Sequence, residues 1–244
     1  MKILLTIDDT DNLTSAGTGE LCETIAASIE EKGWGTCSGV TRHQLFVHED
    51  IPYTSHNSSM CFRATIHKDH FEPIIAFASN FLKTESAEGS DPGLCVINEE
   101  TLADPQKLME FGKKAKKQVL TKADAYDLAK ELDIHLSEHG GTGDGVIGAL
   151  AGTGLRLTGN DGRFKGNFQI PVTHSSTRVQ DLLNHPRVDR VETLQGLALP
   201  VDTIVSLSNK VKTVLLNHES VLLLFQDPED HLWKNCTKQR LKGF

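Results

Sequence analysis

The chain opens on an apolar run, Ile3, Leu4, Leu5, Thr6 and Ile7, whose length and β-branched content predict a buried strand. The run stops abruptly at Asp8, Asp9 and Asp11. After a short polar loop, Leu21, Ile25 and Ile29 recur at helical spacing and predict a helix over 19–32 that ends at Gly33. Alternation over 37–47 and 60–67 predicts two strands joined by a long polar loop, 48–59. Phe71, Ile74, Ile75, Ala78 and Phe81 line one side of a helix over 70–82, with Pro73 in its first turn. The acidic, turn-rich segment 85–92 is expected to be exposed, and 93–97 is another short apolar strand. Asp104 and Pro105 open a helix, and a further one covers 122–132 after Thr121. Beyond Arg156 the texture changes. A turn at 159–162, strands over 165–172 and 188–199, a short helix over 177–183 and extended character through 201–225 follow. The pattern as a whole predicts an α/β (α+β) protein, an α/β region over 1–165 followed by a small β-rich C-terminal unit over 166–244.

Composition narrows this picture. With 244 residues, 38% of them hydrophobic, the chain is long enough for one large domain or a medium one plus a small one. A formal charge of -8 gives no overall basic footprint for nucleic acid, so any RNA contact needs a local patch. The run Lys113, Lys114, Lys116 and Lys117 reads most simply as a solvated helix face. The five cysteines, Cys22, Cys37, Cys61, Cys95 and Cys236, form no CxxC pair, which argues against a zinc ribbon or a disulfide framework and for reduced thiols in a cytoplasmic protein. No signal-peptide pattern opens the sequence, and no apolar run approaches membrane-spanning length.

Candidate chemistry sits where the first strand ends. Three carboxylates in four positions repel one another unless a cation lies among them, and a hard ion such as Mg²⁺ bridging to phosphates answers that need. The helix starting near Thr18 adds free backbone N–H groups and a positive dipole end beside the same site. Taken singly, Asp11 and Asn12 read as turn formers and Thr18 as a helix cap. Farther on, Gly143, Gly145 and Gly148 match G-x-G-x-x-G ahead of a small apolar helix, a loop able to bring amides close to phosphates. His135 and His139, one helical turn apart, have no third ligand nearby and do not make a zinc site. Tyr53, His56 and Asn57 are candidates for a base or sugar contact, while Trp233, Lys234 and Arg240 read as packing or surface residues.

Ile7-Asp8-Asp9-Thr10-Asp11, the Thr18 region, Ile51-Pro52-Tyr53, Asp91-Pro92-Gly93 and the stretch from Gly143 to Leu150 occur in an order that resembles the archaeal tRNA-Ile agmatinylcytidine synthetase (TiaS) family. The match covers roughly the first two thirds of the chain. The resemblance implies a kinase-like and a ferredoxin-like portion, ATP and Mg²⁺ as cofactors, and Asp8, Asp9 and Asp11 as metal ligands. It also implies catalytic roles for Asp9 and Thr18, the latter where the family has a phosphorylatable threonine, and a nucleotide lining of Thr10, Gly17, Gly19, Gly143, Gly145 and Gly148. Asp144 stands where the family has an arginine, and Thr54 and His56 where it has lysine and arginine. The family's OB-fold and cysteine-rich zinc ribbon find no counterpart, since only Cys236 lies in the remaining length.

These readings converge on a Mg²⁺- and ATP-dependent, kinase-like phosphotransferase of the cytoplasm. Its acceptor is an unidentified small molecule or RNA, and tRNA modification itself is not assumed. A regulatory module that binds nucleotide without turnover is the alternative. A haloacid-dehalogenase-like phosphatase, suggested by Asp9-Thr10-Asp11, fits less well because Leu13 stands where that family has a threonine.

Overall fold

The computed structural model describes residues 1–51, 56–170, 176–208 and 210–244, which separate into two compact units, Met1–Thr158 and Gly159–Phe244. Pro52, Tyr53 and Thr54, which carry part of the resemblance and of the loop reading, lie outside the described residues, as do Pro171 and Val172.

In the first unit the opening apolar run becomes β1 (Lys2–Asp8), with no exposure from Ile3 through Ile7. It pairs on one side with β4 (Ser58–Ile66) and on the other with β5 (Gly93–Asn98). β6 (His135–Glu138) extends the sheet beyond β5, and β2 (Gly35–Cys37) and β3 (Thr41–Gln44) pair in succession along β4. All of these pairings are antiparallel, so the glycine loop is not the turn of a parallel dinucleotide-binding unit. The stretch 37–47, expected as one strand, is broken between β2 and β3. There the Ser38 hydroxyl accepts from the Arg63 N–H (3.0 Å), in place of the backbone carbonyl a regular ladder would use.

Pleating divides β1 between two cores. Ile3, Leu5 and Ile7 face α1 (Thr18–Glu31) and α2 (Phe71–Glu85), whose Leu21, Ile25, Ile29, Ile74, Ile75 and Ala78 complete the first core. Leu4 faces the second, built with α3 (Pro105–Ala115), α4 (Lys122–Glu131) and α5 (Gly145–Leu157). Local signals start these helices. The Asp104 carboxylate caps α3 by accepting from the Lys107 N–H (3.1 Å), and Thr121 and Asp124 form a reciprocal capping box on α4. Lys113 and Lys114 are exposed at the end of α3, the solvated face expected of them. Among the described residues no helix is long and apolar enough to cross a membrane.

The second unit is β-rich: β7 (Arg163–Phe164), β8 (Ser176–Arg178), α6 (Val179–Leu183), β9 (Arg190–Thr193), β10 (Ile204–Ser206), β11 (Val214–Leu216), β12 (Glu219–Gln226) and β13 (Trp233–Asn235). β12 is its centre, antiparallel to β11 and β13 and parallel to β9, and its alternating side chains feed two apolar clusters. Two expected strands differ. Of 165–172, the described residues 165–170 turn at Gly166 (φ 81°) and bridge from Phe168 to Val211 without forming a regular strand. Over 188–199 only β9 is regular, because a turn at Gly196 (φ 78°) folds Ala198 back onto Glu192. The helix expected over 177–183 begins later, residues 176–178 being β8. Lys234 pairs with Asp227 and Asp230 (2.9 and 2.7 Å), and the Arg240 guanidinium lies 3.8 Å from the centre of the Phe225 ring. Packing and surface pairing account for both.

Candidate functional site

The alternation that buries β1 also aims its last residue. Thr6 shares the α5 face and its hydroxyl accepts from the Thr153 hydroxyl at 2.7 Å. Asp8, two residues on, reaches the same helix at Gly148, where a Cβ would overlap the Asp8 carboxylate. Gly145 is enclosed by backbone: its N–H donates to the Asp91 carbonyl (3.1 Å), and a Cβ there would overlap that oxygen while lying 2.9 Å from the Gly93 nitrogen and 3.2 Å from the Asp8 carbonyl. The acidic strand end and the glycine loop are thus in contact.

Beyond Asp8 the chain turns at Asp9, whose φ of 51° lies in the left-handed region that aspartate tolerates better than most residues. The turn brings the Thr10 N–H to the Thr18 hydroxyl (3.4 Å), which itself donates to Asp11 Oδ1 (3.3 Å). Thr18 therefore does not cap its own helix. The capping position of α1 is Gly17 and that of α5 is Asp144, and neither helix has a side-chain cap; the first amides of α5 are nonetheless taken by backbone, Gly145, Val146 and Ile147 donating to the Asp91, Gly143 and Asp144 carbonyls. Gly19 is buried in the first turn of α1. Asn12 is the turn former its sequence suggests, its carboxamide oxygen accepting from the Thr14 and Ser15 N–H groups. The Thr10 hydroxyl is fully buried without a hydrogen-bond partner.

The electrostatics are those of crowded acids. Burial pushes the Asp8 carboxyl well above its ordinary value, with Asp9 beside it adding to the effect. Burial and then the charges of Asp91, Asp11 and Asp144 raise Asp9 to about 6. The Asp8 carboxylate lies against Gly148 and the Asp11 carboxylate accepts from Thr18, and among the described residues no three His, Cys, Asp or Glu side chains are gathered as a ready metal site. Gly143 (φ 79°) lies toward β6, where its missing side chain leaves room for Glu138. His135 and His139 stand on an extended segment, not a helix, each ring 2.9 Å from the Ser137 hydroxyl. Asn57, expected in a ligand-facing loop, donates to the Phe46 carbonyl (2.6 Å). His56 is exposed.

Sequence reasoning gives Asp91 no role in this site. It bonds the Thr142 N–H with its carboxylate and the Gly145 N–H with its carbonyl, while the Pro92 carbonyl receives the His139 N–H (2.8 Å). This contact buries Ser90 and Pro92, so the segment 85–92 is not exposed throughout as expected. A signal existed: if β5 runs antiparallel to β1, an acid just before β5 lands beside the acids that end β1, and the register does pair Gly93 with Asp8.

No family model matches the chain, and no curated protein matches it. Solved structures do. A tRNA fluorescent labeling enzyme superposes with a TM-score of 0.55 at 27% identity, covering 63% of this chain and 36% of that one. Apo TiaS, an isoleucine-tRNA agmatidine synthetase, gives 0.54 at 25% identity, with 63% and 35% covered. The complex of TiaS with that tRNA and ATP gives 0.55 at 26% identity, with 63% and 36% covered. The chain has a TiaS-like fold and spans little more than a third of the length of these neighbours.

Proposed function

We propose that this TiaS-like chain is a Mg²⁺-dependent, ATP-binding phosphotransferase, its nucleotide seated between the end of β1 and the start of α5. The observation that carries the reading is the meeting of Asp8 with Gly148 and of the Asp8 carbonyl with Gly145, which joins the acids to the glycine loop. A cation with bound phosphates suits the residues present: it would relieve the mutual repulsion of Asp8, Asp9 and Asp11 and give the buried Thr10 hydroxyl a partner. Those three aspartates would hold the ion, which when bound would neutralise charge on the transferred phosphoryl group. The start of α1, which has no side-chain cap, is suited to phosphate oxygens, and Gly17, Gly19, Gly143, Gly145 and Gly148 are the residues we assign to lining the nucleotide. Thr18, oriented by its bond to Asp11, is the hydroxyl we assign to relaying or orienting the phosphoryl group. The neighbour solved with tRNA and ATP supports a nucleotide ligand, and the acceptor is a small molecule or an RNA. Five free thiols support a cytoplasmic setting.

Asp9→Asn tests the assignment. Asparagine keeps the left-handed turn that Asp9 makes but removes its charge. ATP turnover in the presence of Mg²⁺ should fall by a factor of about 100 or more, while the melting temperature does not fall, since the substitution removes a carboxylate that burial and its acidic neighbours disfavour. Unchanged turnover would reject the assignment. Nucleotide binding without turnover is a second reading, favoured by Asp144, which stands where the resembling family has an arginine. Calorimetric ATP binding with no hydrolysis across a panel of nucleoside and amine acceptors would select it.

A further inference from the structure

The site holds Asp8, Asp9, Asp11, Asp91 and Asp144, so an entering triphosphate adds negative charge to a region already crowded with it. An ammonium reaches that region from the far side of the glycine loop. Lys122, the first residue of α4, places Nζ 2.7 Å from the Thr142 carbonyl and 2.6 Å from Glu138 Oε2. Gly143 lets it do so: Nζ lies 2.8 Å from where a Cβ on that residue would stand, and the same Cβ would overlap Glu138. Thr142, whose carbonyl receives the Lys122 ammonium, itself donates its N–H to the Asp91 carboxylate, which ties the ammonium to the acidic site through one residue. With its side chain 31% exposed, Lys122 is open to solvent without any opening of the core.

We propose that Lys122 is a phosphate-binding residue of this site, held beside the glycine loop by Glu138 and passed to a nucleotide phosphate when ATP enters. The proposal rests on the nucleotide reading above and supplies a positive charge to offset the phosphates. An ammonium on a flexible four-carbon stem can exchange one oxygen partner for another, which a planar guanidinium does less readily. Glu138, its own carboxylate 45% exposed, is then a competitor for the ammonium rather than an essential support.

Two substitutions should therefore act in opposite directions. In calorimetric titrations with Mg²⁺ and ATP, Lys122→Met should weaken binding about tenfold, the scale of one charge-assisted hydrogen bond. Lys122→Arg should recover part of that loss, and Glu138→Gln should tighten binding about threefold by freeing the ammonium. If the pair only braces the loop, Lys122→Met and Glu138→Gln will weaken binding together, or neither will change it, and either result overturns the proposal. Should Lys122→Met fail to fold, the sign of the Glu138→Gln effect decides alone. Failure of the unsubstituted protein to bind ATP would instead overturn the nucleotide reading itself, and this inference with it.

Discussion

Replacing Gly145 by alanine should cost about 3 kcal/mol of stability and lower the melting temperature by roughly 10 °C. The atoms in the way are backbone on three sides: the Asp91 carbonyl, the Gly93 nitrogen and the Asp8 carbonyl. None can swing aside as a side chain would, so β5 and α5 must separate or the methyl group cannot be placed. Gly17→Ala is the matched control. It sits at φ -74°, and the nearest atom to its Cβ, Asp11 Oδ2, is at an ordinary 3.7 Å, so alanine there should cost only a few tenths of a kcal/mol. Circular dichroism melts of the two variants separate a packing requirement at the glycine loop from mere tolerance of glycine.

Asp8→Asn should do the opposite to stability while removing function. At pH 8 we expect a rise of roughly 5 °C in melting temperature, or about 2 kcal/mol for a chain of this size, together with loss of ATP turnover. Asp8 is 8% exposed and its carboxyl is raised well above the ordinary range, first by burial and then by Asp9. A carboxyl raised in the folded state binds its proton more tightly there than in the unfolded chain. Its contribution to stability is present at acid pH and is lost as pH rises through the folded value. Asp9, raised to about 6, loses its contribution between about pH 4 and pH 6, and Asp8 extends the loss upward. The ligand-free protein should accordingly melt at a lower temperature at pH 8 than at pH 5 on account of these two groups, and Asp8→Asn should flatten that slope. Binding of a cation with its nucleotide favours the ionised forms, so affinity for Mg²⁺ and ATP should increase as pH rises through about 6. A variant less stable than the parent at pH 8 would show that the Asp8 charge supports the fold instead of straining it.

What could be read from the sequence follows from how local its causes are. The strand at 3–7, the helix carrying Leu21, Ile25 and Ile29, and the caps at Asp104 and Thr121 depend on neighbours within a few residues, and they form as expected. Asp8, Asp9 and Asp11 are visible because they are nearly contiguous. Asp91 and Lys122 are not, because only the antiparallel register of β5 on β1 and the approach of α4 to Gly143 bring them near. How those three aspartates are placed is not legible from adjacency: the pleat puts Asp8 against α5, a left-handed turn falls at Asp9, and Asp11 meets Thr18. In the second unit, a glycine turn at Gly196 cuts short a segment whose composition alone suits a strand.

The double burial of β1 bears on how binding will register in hydrogen–deuterium exchange. Amides of residues 3–7 sit between two cores and open only when the whole unit opens, so they will be slow with or without ligand and will carry little local signal. Protection on adding nucleotide should instead emerge at the rim, in residues 12–15 and 140–144. The scaffold beneath is already as quiet as the molecule allows, leaving these two loops to record the arrival of a guest.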